Sequence, residues 1–259
     1  MYLLPQFNPE QARRDVVTFI RNWFAVNGPD CNAVIGISGG KDSSVVAALC
    51  VEALGKERVI GVLMPNGIQV DIADSASVCE HLGIRNITIN IAEAYNSLIN
   101  QCKEGLFVPE ADGYIPTNVT RQTEMNMPPR LRMTALYGVA QSYNGRVINT
   151  SNLSEWAIGW ETRWGDSVGD IQPILHLTAS EVIAIGLTTD LPKHLVQKTP
   201  ADGLCGSTDE EAFGFSYDEL DAAIRSNQWG PHGERICELM AKSKFKRLPI
   251  ATLYNGSKF

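Results

Sequence analysis

The segment 38–44, which has the sequence Ser-Gly-Gly-Lys-Asp-Ser-Ser, combines side chains that bind phosphate and metal ions. It lies between the apolar residues 33–37 and 45–50, so it is predicted to be a tight turn between a strand and a helix. The first N–H groups of such a helix have no backbone partner and lie at the positive end of its dipole. Gly39 and Gly40 lack a Cβ atom, which lets the backbone approach an anion closely. The segment therefore predicts a phosphate-binding loop, with Asp42 placed to hold a divalent metal ion.

The same segment differs from two common nucleotide-binding motifs. It contains neither Gly-x-Gly-x-x-Gly nor a glycine, a four-residue spacer and Gly-Lys-Ser/Thr. A plain connector between a strand and a helix is the alternative interpretation. Plain connectors, however, seldom gather three hydroxyls, a lysine and an aspartate around two glycines.

The segment resembles the pyrophosphate loop of the N-type ATP pyrophosphatases, which has the motif Ser-Gly-Gly-x-Asp-Ser. The resemblance implies that the loop holds the β- and γ-phosphates of ATP. These two phosphates would leave together, so that the products are AMP and pyrophosphate. The motif indicates the superfamily and leaves the acceptor substrate open.

Short apolar segments alternate with helical ones along most of the chain. Strands are predicted near residues 32–38, 58–64, 85–90, 146–150 and 171–175. Helices are predicted near residues 8–27, 42–54, 71–82, 91–102, 128–143 and 178–187. This alternation predicts an α/β fold with a parallel five-stranded sheet and helices on both faces. The resemblance implies the Rossmann-like, single-domain architecture of the adenine nucleotide alpha hydrolases.

Two polar stretches, residues 103–127 and 199–214, interrupt the alternation. Both contain glycine and proline, and we expect them to be mobile loops of one domain spanning residues 1–259. Long loops in compact domains frequently cover a ligand site. Plain surface loops are the alternative interpretation.

The composition argues against nucleic-acid and membrane partners. The net charge is −7 and no basic stripe accumulates, which disfavours broad nucleic-acid binding. No segment is long and apolar enough to span a bilayer, and no signal-peptide pattern is visible, so we expect a cytoplasmic protein. The six cysteines are scattered without a Cys-x-x-Cys pair, which favours reduced, buried thiols over a zinc site.

Further blocks follow the loop in a fixed order. They contain the patterns Asn-x-x-x-Arg-x-Arg-Met at 126–133, Thr-x-Asn-x-x-Glu at 150–155 and Gly-Asp-x-x-x-Asp at 165–170. Together with the segments 64–71, 198–202 and 213–219, they resemble the ammonia-dependent NAD synthetases over nearly the whole chain. The resemblance implies amidation of deamido-NAD by ammonia through an adenylate, giving NAD, AMP and pyrophosphate. It also implies ATP as co-substrate, Mg²⁺ as cofactor and a homodimer.

The resemblance further implies which residues form the site. The metal ligands would be Asp42 and Glu155, although Glu155 also suits the first turn of a helix. The catalytic residues would be Asp42, Asp166 and Lys198. ATP would contact Gly36, Ile37, Ser38, Gly39, Gly40, Lys41, Asp42, Ser43, Ser44, Met64, Gln69, Thr150, Lys198 and Ser216. Deamido-NAD would contact Arg130, Asp166, Asp170 and Lys246.

Three positions depart from the pattern of the family. Leu63 stands where many relatives carry an arginine that stacks on adenine, and Phe245 stands where they often carry a histidine. Lys41 occupies the variable position of the loop, where it would add a contact to phosphate.

The sequence contains no visible motif for glutamine hydrolysis, so free ammonia is the expected nitrogen donor. A separate glutaminase partner is left open. The alternative enzyme is another ATP pyrophosphatase, such as a GMP-synthetase-like protein. A nucleotide-binding regulatory module is the alternative outside enzymes, but it would not need to keep both Asp42 and Glu155.

Overall fold

The computed structural model describes residues 1–69, 72–106, 119–198 and 208–250. In this part of the chain one sheet is formed by four strands, β1 (Asn32–Gly36), β2 (Val59–Leu63), β3 (Arg85–Thr88) and β4 (Gly145–Ile148). The strand order is β3-β2-β1-β4, and all neighbouring strands are parallel. The helices are α1 (Pro9–Asn27), α2 (Lys41–Leu54), α3 (Ile72–Leu82), α4 (Ala92–Gly105), α5 (Arg121–Ser142), α6 (Leu153–Ile158), α7 (Ala179–Gly186), α8 (Lys193–Val196), α9 (Asp209–Phe213), α10 (Tyr217–Ser226) and α11 (Gly233–Arg247).

The first four predicted strands are confirmed, and the fifth, near 171–175, is wrong. There the chain forms a single parallel bridge between Ile171 and Ile148 and then turns. Pro173 explains the difference, because proline has no N–H group to donate to a neighbouring strand. The described sheet therefore has four strands instead of five.

Helices cover both faces of the sheet, as the sequence predicts. Alternate residues of a strand point to opposite faces. Ala33 and Ile35 of β1 belong to a core shared with α1, α2 and α7. Val34, between them, belongs to a second core shared with α5, and α4 packs against α5. A strand buried on both faces explains the continuous apolar sequence before the phosphate-binding loop.

Helices extend into the ends of both expected loops. α5 begins at Arg121, ahead of the predicted start near 128, and Thr120 Oγ1 caps it by accepting from Thr123 N at 3.2 Å. A proline pair usually marks a helix start, but Pro128 and Pro129 lie inside α5 and are buried. α4 continues to residue 105 and α9 occupies 209–213, whereas residues 107–118 and 199–207 lie outside the described residues.

A third core lies among α6, α9, α10 and α11. The ring of Phe213 contacts Trp160 and Tyr217 edge-on, with centroid distances of 5.4 Å and 5.3 Å. Leu220 of α10 and Ile236 of α11 are fully buried in the same core. This packing anchors the segment that starts at residue 208. Among the described helices, none has the length and apolar character needed to cross a membrane.

Candidate functional site

The predicted phosphate-binding loop leaves the carboxyl end of β1 and enters α2. Ile37 N donates to Val62 O at 2.9 Å, so the loop starts in the interior of the sheet. Ser38 Oγ accepts from Gly40 N at 3.2 Å and lies 3.1 Å from Ser43 Oγ. Gly40 is the N-cap residue of α2, and no side chain caps the first amides of that helix. These amides are therefore oriented to bind an anion.

Ser43 and Ser44 lie in the first turn of α2. Their Oγ atoms donate to Gly40 O at 3.2 Å and 2.7 Å. Both hydroxyls thus stabilise the turn that presents the helix amides. A hydroxyl can still accept a hydrogen bond or exchange its partner when phosphate binds.

Both the conformation and the packing of the loop require glycine at position 39. The φ angle of Gly39 is +78°, in the left-handed region that side chains disfavour. A Cβ atom at this position would lie 2.9 Å from Asp74 Cβ and 2.9 Å from Ser75 N. The loop therefore lies directly against the start of α3, and a side chain at position 39 would push them apart.

Lys41, Asp42, Asn152 and Glu155 form a charged cluster beside the loop. Lys41 is only 2% exposed, and its Nζ donates to Asp42 Oδ2 at 2.7 Å. Asn152 Nδ2 donates to the other carboxylate oxygen, Asp42 Oδ1, at 3.1 Å. Burial by itself lowers the pKa of Lys41, but the carboxylates of Asp42 and Glu155 outweigh burial and raise it. Lys41 is therefore a buried, paired cation, and its contact to phosphate stays a prediction.

The two expected metal ligands, Asp42 and Glu155, lie in the same cluster. Burial raises the pKa of Glu155 well above its ordinary value, and repulsion by Asp42 raises it further. Glu155 also closes a capping box on α6, in which its Oε2 accepts from Asn152 N at 3.2 Å. The helix-capping role suggested by its position is therefore present. A close pair of carboxylates also fits Mg²⁺, which is commonly held by one or two carboxylates together with phosphate oxygens.

Helices α9 and α10 add an aromatic ring and a third carboxylate to the cluster. Lys41 Nζ lies 5.2 Å from the centre of the Tyr217 ring. Tyr217 OH donates to Asp209 Oδ2 at 3.0 Å, and both residues are buried. Burial raises the pKa of Tyr217 well above its ordinary value, and Glu155 and Asp209 add to this effect. The phenol therefore remains a neutral hydrogen-bond donor.

The expected catalytic lysine, Lys198, lies beside the same loop. Its Nζ donates to Asp74 Oδ2 at 2.6 Å, and Asp74 packs against Gly39. The side chains of the pair are 30% and 40% exposed. Ion pairs of this kind contribute little to stability, so the loss of the contact between Lys198 and Asp74 would by itself cost little.

Arg130, Asp166 and Lys246, which are expected to contact deamido-NAD, meet at the turn 159–166. Asp166 Oδ1 accepts from Thr162 N at 2.6 Å within this turn. Arg130 Nε and Lys246 Nζ donate to the carbonyls of residues 163 and 161, at 3.2 Å and 2.5 Å. The pKa of Lys246 is lowered, chiefly by burial, while the nearby charges of Glu161 and Asp166 oppose the shift.

Glu161 lies in the same turn, although no motif singles it out. Its Oε2 atom is buried and has no hydrogen-bond partner among the described residues. Burial raises the pKa of Glu161 to about 7; Asp166 adds to this effect, and Lys246 and Arg247 oppose it. Desolvation also raises the pKa of Asp166, even though that residue is exposed overall. The turn thus holds two carboxyl groups that retain protons at higher pH than isolated ones.

Asp170, the other residue expected to contact deamido-NAD, is bound by the sheet. Val147 N donates to Asp170 Oδ2 at 2.7 Å, and Tyr137 OH donates to Oδ1 at 3.3 Å. The amide of Asp170 donates in turn to Val147 O at 2.8 Å. These contacts give Asp170 a structural role at the edge of β4, and its contact with deamido-NAD stays a prediction.

Of the other residues expected to contact ATP, Gly36, Met64 and Thr150 lie at the carboxyl ends of strands, whereas Ser216 lies at the start of α10. A Cβ atom at Gly36, the last residue of β1, would lie 3.1 Å from Met64 Cε after β2. Thr150 follows β4, and Ser216 caps α10 with its hydroxyl. Gln69 is half-buried between β2 and α3. Ligands of open parallel sheets bind at this end of the strands.

Four residues of the charged cluster and its surroundings are absent from the sequence prediction: Asp74, Asn152, Asp209 and Tyr217. Asn152 lies inside the Thr-x-Asn-x-x-Glu pattern, so the sequence did carry a signal for it. Tyr217 lies in the segment 213–219, which also carries the family resemblance. Asp74 and Asp209 carry no such signal, and only the fold brings them to the residues they contact.

Comparison with known proteins adds an independent observation. The sequence profile of the NAD synthase family matches residues 13–259. The NH(3)-dependent NAD(+) synthetase of Methanocaldococcus jannaschii is 35% identical over 250 residues, which cover 94% of this chain and 90% of the relative. A solved NMN synthetase from Francisella tularensis is 32% identical, with a TM-score of 0.85, and the match covers 96% of this chain and 100% of that one. An NH3-dependent NAD synthetase from Campylobacter jejuni is 27% identical, with a TM-score of 0.77 and coverage of 95% and 100%.

The family match over residues 13–259 spans the segment 38–44, the charged cluster and the turn 159–166, and the relative from Methanocaldococcus jannaschii is matched over 90% of its length. The TM-scores of 0.85 and 0.77 show that the two solved structures share the fold described above. The chain belongs to the NAD synthase family.

Proposed function

We propose that the protein is a ligase that uses ATP to amidate deamido-NAD with ammonia, giving NAD, AMP and pyrophosphate. The observation that carries the proposal is the uncapped phosphate-binding loop beside two close carboxylates, in a chain matched by the NAD synthase family over residues 13–259. The family match favours this function over the GMP-synthetase-like alternative.

In the first step, the nicotinate carboxylate attacks the α-phosphorus of ATP, and the bond to the bridging oxygen of the leaving pyrophosphate breaks. The first amides of α2 and the hydroxyl of Ser38 would hold the β- and γ-phosphates. Lys198 would leave Asp74 and neutralise the charge that builds up on the leaving group. Fixed donors aimed at developing charge are a main source of catalysis in such reactions.

Asp42 and Glu155 would hold the Mg²⁺ ion that the family resemblance implies. When bound, that ion neutralises negative charge on the phosphate oxygens. Asn152 keeps the Asp42 carboxylate oriented through the contact to Oδ1. Glu155 is fixed by its capping contact on α6.

In the second step, ammonia attacks the adenylated carbonyl carbon, AMP leaves and the amide of NAD forms. Ammonia must lose a proton, and we propose Asp166 as the acceptor, because it lies in the turn that also binds Arg130 and Lys246. Arg130 would steady a phosphate of deamido-NAD, for which a guanidinium is suited. Lys246 and Asp170 would complete the substrate contacts.

The family resemblance also supports a homodimer in the cytoplasm with free ammonia as the nitrogen donor. An experiment on the donor compares ammonium with glutamine in the presence of MgATP and deamido-NAD. We expect NAD formation with ammonium and little with glutamine alone. Strong glutamine use by the purified chain would contradict the assignment of ammonia as the donor.

A second candidate substrate is nicotinic acid mononucleotide, which would give nicotinamide mononucleotide. The observation that favours it is the 32% identity and TM-score of 0.85 to a protein described as an NMN synthetase. The chemistry at the nicotinate carboxylate is the same for both substrates. They differ in the adenylate half, which only deamido-NAD carries.

The deciding experiment measures pyrophosphate release and kcat/KM with each of the two nicotinate substrates. We expect turnover that depends on a nicotinate substrate and stops in Asp42→Ala. A preference of at least about tenfold, equivalent to 1.4 kcal/mol, would assign the substrate. Pyrophosphate release that needs xanthosine monophosphate and ignores both nicotinate substrates would overturn the proposed function.

A further inference from the structure

Lys41 occupies the variable position of the phosphate-binding loop, yet its side chain is buried among carboxylates. The ammonium group donates to Asp42 Oδ2 at 2.7 Å and lies 5.2 Å from the centre of the Tyr217 ring. The charges of Asp42, Glu155 and Asp209 all raise its pKa against the effect of burial. The ammonium group of Lys41 therefore interacts with the charges of three acidic side chains, and Lys41 itself is only 2% exposed.

Both carboxylate oxygens of Asp42 are already in use. Oδ2 accepts from Lys41 and Oδ1 accepts from Asn152. A divalent ion that binds to Asp42 must share or take over one of these oxygens. The contact with Asn152 is neutral and can persist beside a metal ion, but an ammonium group and a metal ion on one carboxylate repel each other. Lys41 and the metal ion thus compete for the same ligand.

The pocket offers Lys41 a second set of partners. The face of the Tyr217 ring is an electrostatic acceptor for an ammonium group. Tyr217 OH holds Asp209 at 3.0 Å, so that a carboxylate stands beside the ring. Lys41 can therefore release Asp42 and remain a paired cation inside the protein, which avoids the large cost of an unpaired buried charge.

We propose that Lys41 is a tethered cation that holds Asp42 in the nucleotide-free protein and yields it to the divalent metal ion only when the nucleotide binds. The negative charge of the triphosphate supplies the attraction that the metal ion needs to displace the ammonium group. Lys41 is thus a positioning residue that makes metal binding depend on ATP. The inference uses one part of the proposed function, the assignment of Asp42 as a metal ligand.

The test is a titration of the full chain with Mn²⁺, followed by the electron paramagnetic resonance signal of free Mn²⁺, without nucleotide or other substrate. We expect weak binding by the unmodified protein and at least about tenfold tighter binding by Lys41→Met, because a repelling charge next to the metal ligand is removed. The matched control is Lys56→Met, which removes an exposed lysine at the opposite end of the strands and changes the net charge equally. This control should bind Mn²⁺ like the unmodified protein.

Equal Mn²⁺ affinity of Lys41→Met and the unmodified protein would overturn the proposal, and so would an equal gain in Lys56→Met. If Lys41→Met does not fold because its acidic groups lose their cation, Mn²⁺ affinity is compared between Lys41→Met/Asp209→Asn and Asp209→Asn. Tighter binding by the double variant supports the proposal, and equal binding overturns it. The double variant restores the charge balance of the cluster. Because the titration contains no substrate, a failure of the amidation reaction would refute the proposed function and leave the Mn²⁺ result to stand by itself.

Discussion

Replacing Glu161 by glutamine should stabilise the protein at high pH and have little effect at low pH. The Glu161 Oε2 atom is buried without a hydrogen-bond partner among the described residues. Burial, together with repulsion by Asp166, raises the pKa of this carboxyl to about 7 from the ordinary value of 4.5. The folded state therefore resists ionisation of Glu161 more than the unfolded state does.

The sign of the effect follows from proton linkage. Folding raises the pKa of this carboxyl, so the folded state favours the protonated form. The contribution to stability is fully present below the unfolded pKa of 4.5, where the carboxyl is protonated in both states. This contribution is lost as the pH rises from 4.5 through about 7, because the unfolded chain ionises first. At about 1.36 kcal/mol for each pKa unit, ionisation of Glu161 lowers the free energy of unfolding by roughly 3 kcal/mol. Partial solvent contact reduces this loss to about 1–3 kcal/mol.

The assay is urea denaturation of the unmodified protein and Glu161→Gln at several pH values between about 5 and 8. The glutamine variant should be more stable by about 1–3 kcal/mol near pH 8, and the difference should shrink towards pH 5. Glu80→Gln is the matched control, because Glu80 is exposed on α3 and its replacement should leave the stability nearly unchanged. A difference between Glu161→Gln and the unmodified protein that does not grow with pH would refute the reasoning.

Three further predictions concern the loop, the lysine and the sheet edge. Gly39→Ala should lower the free energy of unfolding by about 1–2 kcal/mol, because alanine disfavours the left-handed backbone at this position, and it should bind ATP more weakly. Unchanged ATP affinity in calorimetry would contradict the placement of the phosphates at this loop. Lys198→Ala should lower kcat at least about tenfold with little change in Tm, because its exposed pair with Asp74 contributes little stability; an unchanged kcat would remove Lys198 from the catalytic residues. Asp170→Ala should lower the free energy of unfolding by about 1–3 kcal/mol, because Val147 N loses a buried acceptor. Unchanged urea denaturation would argue against a structural role of Asp170.

The sequence predicted the tight turn between β1 and α2 because all the determinants of that turn are local. The strand before it, the two glycines and the first turn of α2 lie within a single stretch of chain, so periodicity and residue type suffice to place them. The same holds for the capping box at Thr178 and Glu181 that opens α7. Four of the five predicted strands, and the helices on both faces of the sheet, could be predicted from the sequence in this way.

The parts that sequence reasoning missed depend on contacts between distant segments. The second set of partners of Lys41 cannot be predicted from its position in the loop, since Tyr217 and Asp209 approach it only through the packing of α9 and α10. The strand predicted at 171–175 is wrong for a local reason. Its apolar pattern is typical of a strand, but Pro173 prevents pairing with a neighbouring strand. The buried carboxyl of Glu161 carries no motif and becomes visible only in the folded chain.

The carboxylate of Asp170 at the outer side of β4 has a consequence for self-association. An unprotected outer strand presents a row of free N–H and C=O groups that can recruit a strand from another molecule. Here the bridge at Ile171 and the side chain of Asp170 occupy that row next to Val147, and Pro173 then leads the chain away. Strand pairing with a second copy is therefore blocked at Val147, which should disfavour strand-paired aggregates of concentrated protein at this edge.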